Sequence, residues 1–201
     1  MILLIDNYDS FVYNVAQYLQ ELTVEEVKTV RNDQITLADI RKMNPSHIVL
    51  SPGPKHPKNS KVCLEILQQI DNIPILGICL GHQALGLVNG ATVARLSEPL
   101  HGKTSEITVT DENSVLFRGL PKNFEVMRYH SLYVSKRGLP DTLKVTALST
   151  DGVIMAMEHR WKPIYSIQFH PESFFTQYGK NIIKNFLVGT LPDENVDANN
   201  E

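Results

Sequence analysis

The residues best suited to do chemistry lie in the segment 74–83, PILGICLGHQ. A short apolar run that predicts a buried strand ends at Cys79, and the residues after it predict the start of a helix. Gly77 and Gly81 flank the cysteine in the Gly-x-Cys-x-Gly pattern of a nucleophile elbow. Such a turn exposes the thiol at a helix N-terminus, where peptide dipoles favour a thiolate, and directs the N–H of Leu80 toward a developing oxyanion. The alternative at this point is a buried cysteine between glycines that only allow close packing.

A second candidate is the segment 167–174, IQFHPESF, in which a predicted strand ends at Phe169. Pro171 keeps His170 out of the helical region, and residues two apart in an extended chain point the same way. His170 and Glu172 are therefore expected to lie close together, as do a general base and the carboxylate that orients it. A solvated turn after an edge strand is the alternative.

A third candidate is the proline-rich loop SPGPKHP at 51–57, which follows another predicted buried strand. Ligands of parallel sheets bind outside the carboxyl ends of the strands, so this loop and Cys79 are expected to face one crevice. Gly53, between Pro52 and Pro54, would let the backbone approach a substrate closely. The alternative is a plain proline turn.

The order of the predicted elements indicates an α/β fold. The first 90 residues alternate strands and helices, and continuous apolar strands are typical of a buried parallel sheet. Short, partly alternating strands follow. We expect one domain over residues 1–191, with a mostly parallel central sheet flanked by helices, a smaller set of antiparallel strands, and a disordered acidic tail at 192–201. The pattern predicts strands at 24–30, 92–96 and 107–109, and a helix at 176–188.

Composition narrows the class of protein. The chain has 201 residues, a formal net charge of −3 and no basic stretch, so neither nucleic acid nor an anionic membrane is an expected partner. Two cysteines, Cys63 and Cys79, imply no disulfide framework. The N-terminus lacks the features of a signal peptide, and we expect a cytoplasmic protein. The histidines show no zinc-ligand spacing, and no phosphate-binding glycine motif occurs, so we expect neither a metal nor a cofactor.

Taken together and in this order, PGP, GICLGHQ and HPE resemble the class I glutamine amidotransferases over the chain up to about residue 191. The resemblance implies hydrolysis of the side-chain amide of glutamine to glutamate and ammonia. It assigns Cys79 as nucleophile, His170 as base and later acid, and Glu172 as the residue that orients it. It also implies oxyanion contacts from the backbone N–H groups of Gly53 and Leu80, and places Pro54 and Lys55 in the same substrate-binding loop. Glutamine contacts are implied for Gln83, Ser131 and Leu132.

Four further motifs look like the small subunit of chorismate-aminating synthases, namely anthranilate synthase component II and its relative in 4-amino-4-deoxychorismate synthesis. They are LIDNYDSF at 4–11, RND at 31–33, HGKTS at 101–105 and RYHSL at 128–132. This resemblance implies a larger chorismate-binding partner, component I, that receives the ammonia, with HGKTS among its contacts.

One position departs from the family pattern, which usually has Gly-Pro-Gly where this chain has Gly53, Pro54 and Lys55. A lysine keeps the loop only if it adopts the backbone conformation that the glycine allows. Two other functions stay open as alternatives: a stand-alone γ-glutamyl hydrolase or peptidase of the same fold, and a non-catalytic regulatory subunit.

Overall fold

Apolar runs at the start of the chain form the centre of a large sheet in the computed structural model, which describes residues 1–190 apart from the side chain of residue 101. The predicted tail at 192–201 lies outside the described residues. The strands are β1 (Ile2–Asp6), β2 (Val27–Arg31), β3 (His47–Leu50), β4 (Ile75–Ile78), β5 (Val93–Val109), β6 (Asn123–Val134), β7 (Leu143–Ser149), β8 (Ile154–His159) and β9 (Ile164–Ile167). The helices are α1 (Val12–Leu22), α2 (Leu37–Met43), α3 (Lys61–Gln69), α4 (Leu80–Val88) and α5 (Gly179–Gly189), with a short 3-10 turn at Pro57–Asn59.

The sheet runs in the order β2-β1-β3-β4-β9-β8-β7-β5-β6. Its first five strands are parallel, and the pairs from β9 onward are antiparallel. The predicted α/β domain with a parallel sheet and a smaller antiparallel part is confirmed. The antiparallel strands continue the same sheet, because β8 pairs with β9 at the edge of the parallel half.

Helices cover both faces of the parallel half, which explains why β1, β3 and β4 are buried at every position and largely apolar. Ile2 and Leu4 of β1 pack in a cluster with α1 and α5. Leu3 and Ile5, on the other face, pack in a cluster with α2, α3 and α4. A strand buried on both sides cannot alternate between polar and apolar residues. Among residues 1–190 no helix combines the length and apolar character needed to cross a bilayer.

The strand order brings the three sequence motifs together. β3, β4 and β9 are parallel neighbours, so their carboxyl ends meet at one edge of the sheet. Ser51 follows β3, Cys79 follows β4, and His170 follows β9 after a short extension. Residues more than a hundred positions apart in the chain therefore converge at one crevice.

Some predicted boundaries were wrong. The strands predicted at 92–96 and 107–109 are the two ends of the single strand β5, whose register with β6 shifts on either side of residues 100–101. Pro99 and Gly102 break the alternation there, and such bulges let a strand bend and continue. β2 begins at Val27 and leaves Val24 in a loop, fully exposed. α5 begins at Gly179, not at residue 176, because Thr176 instead bonds to backbone groups near the crevice.

Candidate active site

Cys79 occupies the sharp turn between β4 and α4. Its backbone has φ 50° and ψ −90°, a conformation that few non-glycine residues adopt and that costs about 1–3 kcal/mol. The neighbouring glycines make the turn possible. A Cβ atom at Gly77 would lie 2.6 Å from the backbone carbon of Gly81, and one at Gly81 would lie 2.9 Å from the carbonyl oxygen of Leu50. The Cys79 N–H donates to Ile167 O at 2.8 Å, which fixes the turn against β9. The predicted elbow is therefore present.

His170 and Glu172 form a buried pair beside this turn. His170 Nδ1 lies 2.6 Å from Glu172 Oε1, and the two residues are 3% and 5% exposed. The carboxylate holds a proton on Nδ1 and leaves Nε2 on the side of the ring toward Cys79. Burial alone would lower the pKa of His170, but hydrogen bonding and charge from Cys79 and Glu172 outweigh it and raise the pKa well above its usual value. Within residues 1–190, Nε2 makes no hydrogen bond of ordinary geometry.

Neighbouring groups hold the histidine in place. The His170 N–H donates to Met127 O at 3.1 Å, and the Thr176 hydroxyl donates to His170 O at 2.6 Å. The ring of Tyr129 stands edge-on to the imidazole, with centroids 5.2 Å apart, and Phe11 stacks on Tyr129 at 6.1 Å. These contacts restrict the rotation of the imidazole. A catalytic base requires such a fixed orientation.

Asn7, the residue after β1, holds the Gly53 loop in place by hydrogen bonds. The Asn7 side chain donates to Ser51 O and its backbone N–H donates to Ser51 Oγ, both at 2.9 Å. Its Oδ1 atom accepts hydrogen bonds from Asn32, Ser60 and Cys63. A Cβ at Gly53 would lie 2.6 Å from both Asn7 Cβ and Asn7 O. Gly53 is thus required because the loop lies directly on Asn7.

Lys55 adopts the conformation that the usual glycine would allow. Its φ is 71°, in the left-handed region, which costs a non-glycine residue about 1–2 kcal/mol. The departure from the family pattern therefore leaves the path of the loop intact.

A cavity of about 490 Å³ ends on Cys79, a volume suited to a small ligand. The predicted substrate residues that line it are Gly53, Pro54, Lys55, Gln83, Ser131 and Leu132. The Gln83 side-chain amide donates to Leu132 O at 2.8 Å and to Gln168 Oε1 at 3.3 Å. Leu80 does not line this cavity; it is buried, and its Cδ2 atom lies 3.0 Å from a Cβ built at Gly53. The oxyanion contact predicted for Leu80 involves its backbone N–H, which lies in the first turn of α4.

Two residues of the RYHSL motif on β6, Arg128 and His130, belong to a buried polar network. The Arg128 side chain, 2% exposed, contacts both carboxylate oxygens of Asp151 at 3.1 Å. Its Nε donates to His130 Nε2 at 3.0 Å, and His130 Nδ1 donates to Leu132 O at 2.9 Å. Burial and the charge of Arg128 lower the pKa of His130 to about 4, so the imidazole is neutral and keeps this tautomer. The network fixes the carbonyl of Leu132, which also accepts from Gln83.

A second cavity, of about 290 Å³, reaches the same nucleophile from another side. Its lining combines the loop after β1 with the active site and includes Asp9, Phe11, Gly53, Cys79 and His170. Burial raises the pKa of Asp9, and the charge of His170 opposes this rise. Cys79 is therefore accessible from two cavities.

Sequence reasoning missed two residues of this site. Gln168 donates from Nε2 toward Cys79 Sγ at 3.6 Å and contacts Gln83. Its spacing of two from His170 on an extended segment was the signal that could have found it. Arg95 lines the larger cavity but comes from β5, outside every motif identified in the sequence. Among the described residues no cluster of His, Cys, Asp or Glu suits a metal ion.

Comparison with known proteins gives consistent matches. The chain is 46% identical over 189 residues to anthranilate synthase component 2 of Pyropia yezoensis, covering 93% of this chain and 98% of the relative. It is 45% identical over 188 residues to aminodeoxychorismate/anthranilate synthase component 2 of Bacillus subtilis (strain 168), covering 93% and 95%. It also matches the bifunctional protein TrpGD of Thermotoga maritima at 44% identity, but spans only 32% of that protein's length.

A solved structure also resembles this chain in its fold. A putative GMP synthase component from Thermoplasma acidophilum superposes with a TM-score of 0.82 at 32% identity, covering 94% of this chain and 92% of the other. Residues 3–190 match the family described as glutamine amidotransferase class-I. The match spans every strand and helix that forms the crevice, so the chain belongs to the class I glutamine amidotransferase family.

Proposed function

We propose that the protein is the glutaminase subunit of a chorismate-aminating synthase, which releases ammonia from L-glutamine for a chorismate-binding component I. The observation that carries the proposal is that Cys79 lines a cavity bordered by the RYHSL strand and shares a second cavity with His170, whose ring is paired with Glu172. The relatives named anthranilate synthase component 2 and aminodeoxychorismate/anthranilate synthase component 2 support the choice of partner and of product class.

In the proposed reaction, the Cys79 thiolate attacks the amide carbon of glutamine. The raised pKa of His170 keeps a proton on its ring at neutral pH, and Nε2 delivers that proton to the leaving nitrogen. Ammonia departs and a γ-glutamyl thioester remains on the sulfur. His170 then takes a proton from a water molecule, whose oxygen attacks the thioester to release glutamate and restore the thiolate. Glu172 stabilises the imidazolium, which is present before ammonia leaves and forms again when His170 deprotonates the water.

The negative oxygen of each tetrahedral intermediate needs donors. We assign that role to the backbone N–H groups of Gly53, which lines the cavity with Cys79, and of Leu80, which directly follows Cys79. Asn7 holds the Gly53 loop, and α4 holds Leu80, so neither donor has to reorganise during the reaction. The conformation of Lys55 belongs to the same arrangement, because it closes the turn after Pro54.

Two cavities at one nucleophile suit a protein that takes in glutamine and passes on ammonia. Glutamine occupies the larger cavity, beside Gln83, Ser131 and Leu132. Ammonia leaves through the smaller one, past Asp9 and Phe11, toward component I. A shielded exit is needed because free ammonia would be lost or protonated in water.

The partner's docking side follows from this route. Phe11, which is 46% exposed, stacks on Tyr129, and Gly102 of the HGKTS motif lies beside the same ring, since a Cβ there would lie 3.4 Å from Tyr129 Cε1. The HGKTS segment and the loop after β1 thus flank the proposed exit together. A cytoplasmic location belongs to the same proposal, because both Cys63 and Cys79 are free thiols.

Reconstitution with component I tests the function. Cys79→Ser is expected to abolish glutamine-dependent amination of chorismate, since a serine hydroxyl lacks thiolate character at neutral pH. Ammonia-dependent amination by the same complex is expected to persist. Cys63→Ser is the matched control, and it keeps a donor toward Asn7 Oδ1. Retention of near-normal glutaminase turnover in Cys79→Ser would refute the nucleophile assignment, and failure of component I to bind would refute the proposed complex.

A further inference from the structure

The larger cavity over Cys79 carries an unbalanced charge. Two cationic side chains, Lys55 and Arg95, line it, and its lining contains no carboxylate within the described residues. Both cations are more exposed than Cys79, which is 5% exposed, so the positive charge lies toward the solvent end of the cavity. A ligand that fits this distribution has an uncharged group at the nucleophile and an anion at the opposite end.

Arg95 is held in the wall of the cavity by the sheet. It lies on β5 directly opposite Leu132 of β6, in an antiparallel pair. Directly opposed residues have Cβ atoms on the same face, roughly 5 Å apart. Leu132 in turn is fixed by hydrogen bonds to its carbonyl from Gln83 and His130. Arg95 therefore stands beside the part of β6 that borders the proposed glutamine site.

The guanidinium of Arg95 has no carboxylate partner among the salt bridges of residues 1–190. The contrast with Arg128 is informative, because that arginine is buried and engaged by Asp151, Ser105 and His130. Arg128 is therefore held in a structural network on β6, whereas Arg95 is exposed and lines the cavity over Cys79 as well as a neighbouring one. The planar fork of a guanidinium matches the two oxygens of a carboxylate.

Glutamine has this charge distribution when it is oriented for reaction. Its side-chain amide must reach Cys79, which puts the α-carboxylate at the other end of the molecule, toward the outer cations. We propose that Arg95 binds the α-carboxylate of glutamine, that Lys55 adds a second positive charge from the facing loop, and that this contact selects free glutamine over substrates whose α-carboxyl group is amidated or peptide-bonded. The inference rests on the proposed glutaminase function and adds the residue that sets its specificity.

The test compares L-glutamine with L-glutaminamide, in which an uncharged amide replaces the α-carboxylate. Hydrolysis of the side-chain amide releases ammonia from both. Arg95→Gln is expected to raise KM for glutamine about tenfold or more and to change kcat little, because the contact is equally strong in ground and transition states. Its KM for glutaminamide is expected to stay within about twofold of wild type. Arg95→Lys, which keeps the charge, is expected to recover part of the loss for glutamine.

Arg137→Gln is the matched control. Arg137 is an exposed arginine beside Arg95 in a neighbouring cavity, and it does not line the cavity over Cys79. It is expected to leave both substrates unaffected. Direct titration of glutamine and glutaminamide into Cys79→Ser protein, with and without Arg95→Gln, measures the same selectivity without turnover.

The outcomes separate the two claims. An equal loss on both substrates in Arg95→Gln, or no loss on glutamine, would overturn the role of Arg95. Wild-type protein that hydrolyses no glutamine even with component I would overturn the proposed function, and the titration would still decide whether Arg95 recognises the carboxylate.

Discussion

Replacing Gly53 by alanine perturbs the proposed oxyanion site and leaves Cys79, His170 and Glu172 unchanged. The backbone of Gly53 is not in the left-handed region, so alanine suits its dihedral angles. The difficulty is space, because the new Cβ would lie 2.6 Å from Asn7 Cβ and Asn7 O and 3.0 Å from Leu80 Cδ2. The two Asn7 atoms cannot move far, because one is a backbone oxygen and the other is bonded directly to the backbone. The loop must therefore lift away from β1 and carry its N–H out of position.

The size of the effect follows from two terms. Loss of one oxyanion donor costs about 10²–10³ in kcat. Overpacking a buried contact costs about 1–3 kcal/mol of folding stability. We expect Gly53→Ala to lower kcat for glutaminase activity by about 10²–10³ and to raise KM for glutamine far less, because the donor acts mainly in the transition state. Steady-state ammonia release in the presence of component I measures both constants.

Gly119→Ala is the control for destabilisation alone. Gly119 has φ 72°, and a Cβ there meets nothing within 4 Å, so alanine adds backbone strain of about 1–2 kcal/mol far from the crevice. It should lower the midpoint of urea unfolding without lowering kcat. A Gly53→Ala protein with kcat within threefold of wild type, a limit of about 0.7 kcal/mol in activation free energy, would refute the assignment of the Gly53 N–H.

Three further perturbations test other parts of the site. His170→Asn is expected to lower kcat by several orders of magnitude and Glu172→Gln by less, and the double variant should be little worse than His170→Asn, because the pair acts as a unit; additive losses in the double-mutant cycle would contradict this. Burial lowers the pKa of His82 to about 3 and that of His130 to about 4, so each is neutral when folded but gains a proton when unfolded below about pH 6.5. The stability that they contribute is present above about pH 6.5, and the free energy of unfolding should fall by about 1.4 kcal/mol per pH unit for each histidine as the pH drops from 6 to 4. Urea unfolding of wild type and His130→Gln across this pH range measures the effect. An equally steep fall with pH in His130→Gln would show that this histidine is not responsible. Lys55→Gly should raise the free energy of unfolding by about 0.5–1 kcal/mol, because relief of left-handed strain exceeds the added entropy of the unfolded chain; a destabilised variant would mean that the Lys55 side chain makes a contact worth more than the strain.

The proximity of Cys79, His170 and Glu172 could be predicted from the sequence because these residues follow the carboxyl ends of strands. Each motif follows a continuous apolar run, and the parallel arrangement of β3, β4 and β9 brings their carboxyl ends together. The elbow at Cys79 was predictable from two glycines, each of which has backbone atoms where a side chain would be. The proximity of His170 to Glu172 followed from the two-residue period of an extended chain.

The remaining features depend on contacts that no local pattern encodes. Arg95 reaches the cavity because β5 pairs with β6, a register set across a long and irregular strand pair. The late start of α5 reflects competition, since the Thr176 hydroxyl bonds to His170 O and accepts from the Met127 N–H instead of continuing a helix. Tertiary hydrogen bonds override local helical periodicity at such a position.

The most direct test of the central claim is to trap the covalent intermediate. Protein mixed with glutamine and quenched in acid within the first turnover should gain the mass of one γ-glutamyl group, and peptide mapping should place it on Cys79 as a thioester. Cys63 provides an internal control, since it is 1% exposed and burial raises the pKa of its thiol to about 11. The account predicts a label on Cys79 that accumulates in wild type and is absent in Cys79→Ser. Glutamine hydrolysis at the normal rate with no thioester at Cys79, or with the label on Cys63, would contradict it.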